Sequence, residues 1–433
     1  MKAKLLAAGI AACFAAPAMA QSSVTIYGIA DGGLMYVNNG GGDAKTKLVS
    51  GIADGSRIGF KGTEDIGGGF KAIFTLEARV ELDTGMQSTG NLSSNQGFAL
   101  TEGLNFTVPA AAGGAATAAK LLAGVRAAVQ PAVNVNPNKA LFDRTSMVGL
   151  VTPVGAFLLG RMYTPGYEVL AMGDAFETGT AGGWGGIVGG TGGLLTAGVA
   201  IRSDKSLQYR IETPSGVGAA LMYGTEKSGY IGLDKRSYGA NLRYKANGFD
   251  VGLGYNHGTD QVGARGLVTT TLAGSYTINQ LKVFAGVHKQ QNNNSVIIRA
   301  VEADPTLTAT FASFGTALGP ILAGQLHNTL RRNFELDAVS YQAGLHYRIG
   351  AGRIMASIAH QNDKRADASD ATQYAIGYDY NLSKRTDIYT VAAYIKNEND
   401  GQYAIGAASA SGGFTAAPGM SSKGIQIGMR HRF

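Results

Sequence analysis

The sequence predicts an all-β protein, a 16-stranded antiparallel transmembrane β-barrel. Three observations carry that expectation: period-two alternation of apolar and polar residues, connections that alternate between tight turns and long segments, and an unusual composition. The chain has 433 residues with 64 glycines, one cysteine and only 15% charged side chains, few charges for a surface of this size in water. Its mean hydropathy of +0.02 hides the alternation, because averaging cancels a strand with one greasy and one polar face.

The first twenty residues stand apart. Lys2 and Lys4 form a basic start, Leu5 to Ala16 an apolar stretch, and Ala18-Met19-Ala20 a small-residue cleavage site, the pattern of a secretory signal peptide over 1–20. Ile10 to Cys13 also fits a lipoprotein processing box, but its apolar core would be unusually short, so cleavage after Ala20 is expected. Cys13 is the only cysteine. The exported chain therefore has no disulfide, thiolate chemistry or cysteine metal site, and the net charge of +7 falls to +5 once Lys2 and Lys4 are removed.

Residues 21–433 read as one barrel. From Phe70 the alternate residues are Phe70, Ala72, Phe74, Leu76, Ala78 and Val80; between them lie Lys71, Ile73, Thr75, Glu77, Arg79 and Glu81. Successive strand side chains point to opposite faces, so the apolar face can meet lipid while the charged face looks into a hole. The same pattern predicts strands over 23–37, 56–65, 69–83, 141–152, 155–163, 202–213, 217–228, 236–246, 248–259, 266–277, 280–290, 335–348, 352–362, 370–381, 384–397 and 422–433. Short connections such as 66–69 (IGGG), 213–216 (TPSG) and 246–248 (ANG) are rich in turn residues. Long ones cover 84–140, 164–201, 291–334 and 398–421. Tight turns at one end and long loops at the other describe a barrel of the outer membrane. No blade or solenoid repeat is visible, and sixteen strands exceed what one sandwich holds.

Several stretches resemble one family, the general porins of Gram-negative bacteria, and within it the trimeric porins of beta-proteobacteria. They are QSSVTIYGIAD at 21–31, SRIGFKGTEDIGGGFKAIFTLE at 56–77, LGRMYTPGYEVLAMGDAF at 159–176 and GMRHRF at 428–433. The resemblance implies a homotrimer in outer-membrane lipid and lipopolysaccharide, with loop 3 (164–201) folded into the lumen. It implies passive diffusion of small ions and hydrophilic solutes, weakly favouring anions, and recognition of the last strand, ending in Phe433, by barrel assembly machinery. It also implies that wall arginines face carboxylates of loop 3 across a constriction. Arg57 and Arg144 match the family's cationic wall; Arg210 matches less closely, with Gln208 and Arg202 competing for its place. Glu168, Asp174 and Glu177 would supply the loop 3 carboxylates, and Glu77 another from the wall. A water-facing arginine or a solvated loop acid is the alternative at each. The chain departs from the family in its long loops 2 and 6, in Met162 where glutamine is usual, and in Ala175 where proline is usual.

Other signals point elsewhere less well. GGWGGIVGGTGG at 182–193 lacks the lysine of a phosphate loop. The six histidines are scattered, without metal-ligand spacing. NENDG at 397–401 could hold calcium but lacks the spacing of a twelve-residue calcium loop. The basic residues do not cluster with aromatics, so nucleic acid is not an expected partner, and no nucleophile motif suggests an enzyme. No cofactor or metal is expected. A solute-specific porin and an adhesin using the long loops are the competing functions. The alanine-rich 110–130 could be an amphipathic helix over the mouth, or a loop of no fixed role.

Overall fold

The computed structural model describes residues 23–42, 44–87, 104–133, 140–188, 201–229, 235–260, 262–408 and 412–433. The leader expected at 1–20 lies outside them. Among the described residues, seventeen strands form one closed sheet: β1 (Ser23–Asn38), β2 (Ala44–Ser50), β3 (Arg57–Gly67), β4 (Phe70–Arg79), β5 (Thr145–Thr152), β6 (Gly155–Tyr163), β7 (Arg202–Glu212), β8 (Val217–Gly229), β9 (Arg236–Ala246), β10 (Phe249–Thr259), β11 (Arg265–Ile278), β12 (Leu281–Asn292), β13 (Leu336–Ile349), β14 (Gly352–Asp363), β15 (Ala371–Asn381), β16 (Thr386–Asn397) and β17 (Ser422–Arg432). The pairing is antiparallel, and β1 closes the ring against β17. Beyond the register of β17, Gly28 and Phe433 exchange backbone bonds of 3.0 and 3.1 Å.

Strands β2 and β3 share one place in the wall. β1 meets β2 through residues 32–38 and β3 through 23–29, so seventeen segments fill the sixteen positions that the alternation predicts. The alternation does not reveal β2 itself, because Lys45, Thr46, Lys47 and Ser50 leave it too polar; pairing with β1 makes it a strand. Between the two halves the chain leaves the wall. The amides of Ile52, Ala53 and Asp54 donate to the buried Asp31 carboxylate at 3.1, 3.1 and 2.8 Å, and Tyr389 donates its hydroxyl to the same group at 2.6 Å.

The outer face is apolar: Leu34, Leu221, Leu272, Ile376 and Ile427 are each more than half exposed, as lipid-facing side chains are. Among the described residues no helix is long and apolar enough to cross a membrane; the strands do so. At Asn247-Gly248 the backbone is left-handed at both residues, φ 53° and 83°, which gives the two-residue hairpin turn whose twist matches the flanking strands.

Inside the wall lies a second layer. Loop 3 runs through α2 (Pro165–Gly173) and the short α3 (Gly185–Val188). Thr164 caps α2, accepting from Tyr167 N, and Pro165 starts it, a favoured first helical residue. The helix presses so closely on β10 that a Cβ at Gly254 would stand 2.9 Å from the Gly166 Cα. Gly254→Val should drive α2 into the lumen, at an overpacking penalty of about 1–3 kcal/mol, and lower single-channel conductance; an unchanged conductance would mean that α2 does not border the open path.

The two extended loops also find structure, in each other. Loop 2 holds a 3₁₀ turn (Ala110–Ala112) and α1 (Gly114–Val133); loop 6 holds α4 (Val296–Glu302), α5 (Pro305–Ala312) and α6 (Gly315–Phe334). Phe106, Leu121 and Val125 of loop 2 share a buried core with Phe311, Leu326 and Leu330 of loop 6, and Thr107 N donates to Gln325 Oε1 at 3.1 Å. The alanine-rich stretch is thus largely a helix with a packing role.

Candidate functional site

Loop 3 is bolted to the wall by side-chain amides. Ala181 N donates to Gln426 Oε1 at 2.7 Å, Gln373 Nε2 to Ala181 O at 2.6 Å, and Gln290 to Val188 O. Trp184 is fully buried and donates its indole N–H to Ser340 Oγ at 2.8 Å. Thr180 N donates to Ile52 O at 2.7 Å, so the segment between β2 and β3 holds the loop from the other side. Glu177, Thr178 and Thr180 have φ of 56°, 63° and 57°, a left-handed run that non-glycine residues adopt only when surroundings over-determine it. Those surroundings centre on Asp174. Its carboxylate, 1% exposed, accepts from Phe176 N (2.8 Å), Thr178 N (3.2 Å), Trp184 N (2.8 Å) and Gln342 Nε2 (3.2 Å). Burial pushes this carboxyl up to about 6, against the pull of those four donors.

The remaining charges form linked pairs around the lumen. Arg144 Nε bonds Glu77 Oε1 at 2.6 Å, Tyr27 donates its hydroxyl to Glu77 Oε2 at 3.1 Å, and Arg57 Nη1 lies 4.0 Å from that oxygen. Arg57 also pairs with Asp54 at 3.1 Å, and Asp54 with Arg430 at 2.6 Å. Arg430 reaches Asp387 at 3.0 Å and Asp379 at 3.7 Å, and Asp379 meets Arg353 at 3.0 Å. Arg353 ends the series on loop 3, bonding both oxygens of Glu177 at 2.6 and 2.9 Å. Burial pushes the Glu177 carboxyl up, but the bonds and charge of Arg353 outweigh it and hold the group at about 2. Farther along the loop, Glu168 pairs with Arg210 and accepts from Asn241 Nδ2 at 3.2 Å.

The structure therefore brings Arg57, Glu77 and Arg144 into one cluster, and Arg210 into contact with Glu168 rather than across a gap from it. It sets Glu177 against Arg353, which sequence reasoning did not single out, and encloses Asp174 in backbone amides. Arg202 stands beside the first cluster. Its guanidinium lies 4.3 Å above the Tyr163 ring and donates to the Tyr163 hydroxyl at 2.6 Å. That hydroxyl also accepts from Arg144 at 3.3 Å, while Tyr163 stacks on Tyr167 of loop 3 at 5.4 Å. Among the described residues no carboxylate lies within ion-pair distance of Arg202, and its Nε has no hydrogen-bond partner. This arrangement has charges to orient a solute but no nucleophile–base pair. At 397–401, Asn397 bonds Tyr403 and Met420 backbone, and Glu398 pairs with Lys396.

Comparison with known proteins decides the family. Residues 6–400 match the profile of the Gram-negative porin. The chain belongs to that family. The porin is 28% identical over 444 aligned residues to outer membrane porin protein 32 of Delftia acidovorans, covering all of both chains. It is 23% identical to major outer membrane protein P.IB of Neisseria gonorrhoeae, over 95% of this chain and 98% of the relative. Its fold resembles that of an anion-selective porin from Comamonas acidovorans, with a TM-score of 0.64 at 24% identity over 95% of this chain and all of that one. The porin is an outer-membrane β-barrel and a channel protein, not an enzyme.

Alternation in β14 and β17 already places Arg353 and Arg430 on the lumen face of this porin. Asp379 and Asp387 stand opposite them on neighbouring strands; what alternation lacks is the partners off the wall, since Asp54 and Glu177 come inward on segments whose paths no periodicity sets.

Proposed function

We propose that this porin forms a water-filled channel for passive diffusion of ions and small hydrophilic solutes, with a weak preference for anions. The observation that carries the preference is Arg202, a buried cation with no carboxylate within ion-pair distance among the described residues, whereas Arg144 and Arg430 are each paired with one. Arg57, Arg144, Arg202 and Glu77 line one side of the constriction; Glu168 with Arg210, and Glu177 with Arg353, line the edge of loop 3. Separated rows of charge set up a field across the opening, and water and dipolar solutes align with it. Asp174 serves in this reading as the residue that positions loop 3. The anion selectivity named for the Comamonas acidovorans porin agrees with it. The homotrimer, the lipopolysaccharide contact and recognition of the last strand by assembly machinery follow from the family resemblance.

The test is the reversal potential of the refolded protein in a planar bilayer under a tenfold KCl gradient. A potential favouring chloride supports the reading; one favouring potassium overturns the anion preference. Arg202→Gln should change each ion's permeability about fivefold, chloride downward and potassium upward, the effect of about 1 kcal/mol on each from one charge ~8 Å from the path at an effective dielectric of ~40. An unshifted ratio would remove Arg202 from the selectivity mechanism.

A further inference from the structure

The helices of loop 6 enclose a hollow lined by none of the charged residues described above. It has a volume of about 420 Å³ and lies between α5, α6 and the end of α4, within the size range of small-molecule sites. Leu307, Phe311 and Leu326 wall it. At one side stand Glu302 and His327, with the imidazole Nδ1 2.5 Å from Glu302 Oε1.

Gly324 makes this more than a packing gap. It sits inside α6, where glycine is the poorest helix former after proline. Its backbone is not left-handed, and a Cβ placed there would meet nothing within 4 Å. Gly319 in the same helix differs, because its Cβ would stand 2.4 Å from Phe311 O, so close packing of α5 on α6 demands a glycine there. At 324 neither backbone conformation nor packing does. What glycine preserves at that position is the open space.

The charge of the rim selects the ligand. Glu302 and His327 are the ionisable side chains lining the hollow, and the Glu302 carboxylate is its acidic group. The nearest arginine along α4, Arg299, is engaged elsewhere, 2.7 Å from Asp260. We propose that the hollow binds a small organic cation, its ammonium group against Glu302 and its apolar body between Leu307, Phe311 and Leu326.

The test uses the full-length protein in lipid nanodiscs, titrated with 4-phenylbutylamine and, separately, with 4-phenylbutyrate, which has a similar body and the opposite charge. Empty nanodiscs measure partition into lipid. Saturable binding of the amine is expected, weakened at least tenfold by Gly324→Phe, which fills the hollow, and by Glu302→Gln, which keeps its shape. Equal binding of amine and carboxylate would overturn the proposal. So would wild-type affinity in Glu302→Gln, a variant with no steric reason to misfold. Block of the single-channel current at the same concentrations would place the amine in the lumen and overturn it as well.

Discussion

Replacing Asp174 with alanine is expected to raise hydrogen exchange at the Phe176, Thr178 and Trp184 amides about a hundredfold. The three N–H groups donate to that carboxylate, and without it they are left without an acceptor. Each buried, unsatisfied donor costs about 1–3 kcal/mol. The total is not additive, and about 3 kcal/mol, a hundredfold in an opening equilibrium, is a conservative value. The left-handed run at 177–180 then loses what holds it, so channel current should become noisier and its mean larger. Unchanged exchange at Trp184 would mean that the wall glutamines alone fix loop 3. The wild-type protein should also show a pH dependence. Asp174 is raised on folding from the ordinary 3.8 to about 6, so its contribution is complete below the unfolded value and is lost as pH rises through about 6. This group should thus make the folded protein more stable in acid than at neutral pH, by about 3 kcal/mol. Asp174→Asn should flatten that profile.

Glu77→Gln should have the largest effect on selectivity. The carboxylate lies 2.6 Å from Arg144 and 4.0 Å from Arg57, with both partners mostly buried. Removing one partner of a buried pair leaves the other charge uncompensated, at about 3–5 kcal/mol. The variant should melt at a lower temperature while its reversal potential shifts toward chloride. Arg57 keeps Asp54 and Arg144 keeps the Tyr163 hydroxyl, so the barrel should still close. A melting loss with no shift in reversal potential would make Glu77 a structural acid remote from the ion path.

Much of the wall was legible because lipid outside and water inside impose a period of two on every strand. The charged series Lys71, Glu77 and Arg79 was readable for that reason. Where the chain leaves the wall, periodicity stops carrying information. Residues 51–56 fold inward to Asp31, a contact between a strand interior and a loop that no spacing encodes. Glu168 and Arg210 were both identifiable as charges near the path, but their direct contact depends on where α2 lies against β9 and β10. Asp174 shows the other limit: a carboxylate in a loop reads the same whether it faces solvent or caps its own backbone. The helices of loops 2 and 6 were least legible, since they are stabilised by packing on each other across the eight strands β5 to β12, half of the barrel.

That packing has a mechanical consequence. Loop 2 leaves the rim between β4 and β5, and loop 6 between β12 and β13. On a ring of sixteen wall positions these exits are eight apart, on opposite sides. A cluster joined to both is a crossbar: it braces the rim against flattening into an ellipse. A bulky object approaching along the barrel axis, such as a folded protein or a virus tail, meets the bar before it meets loop 3.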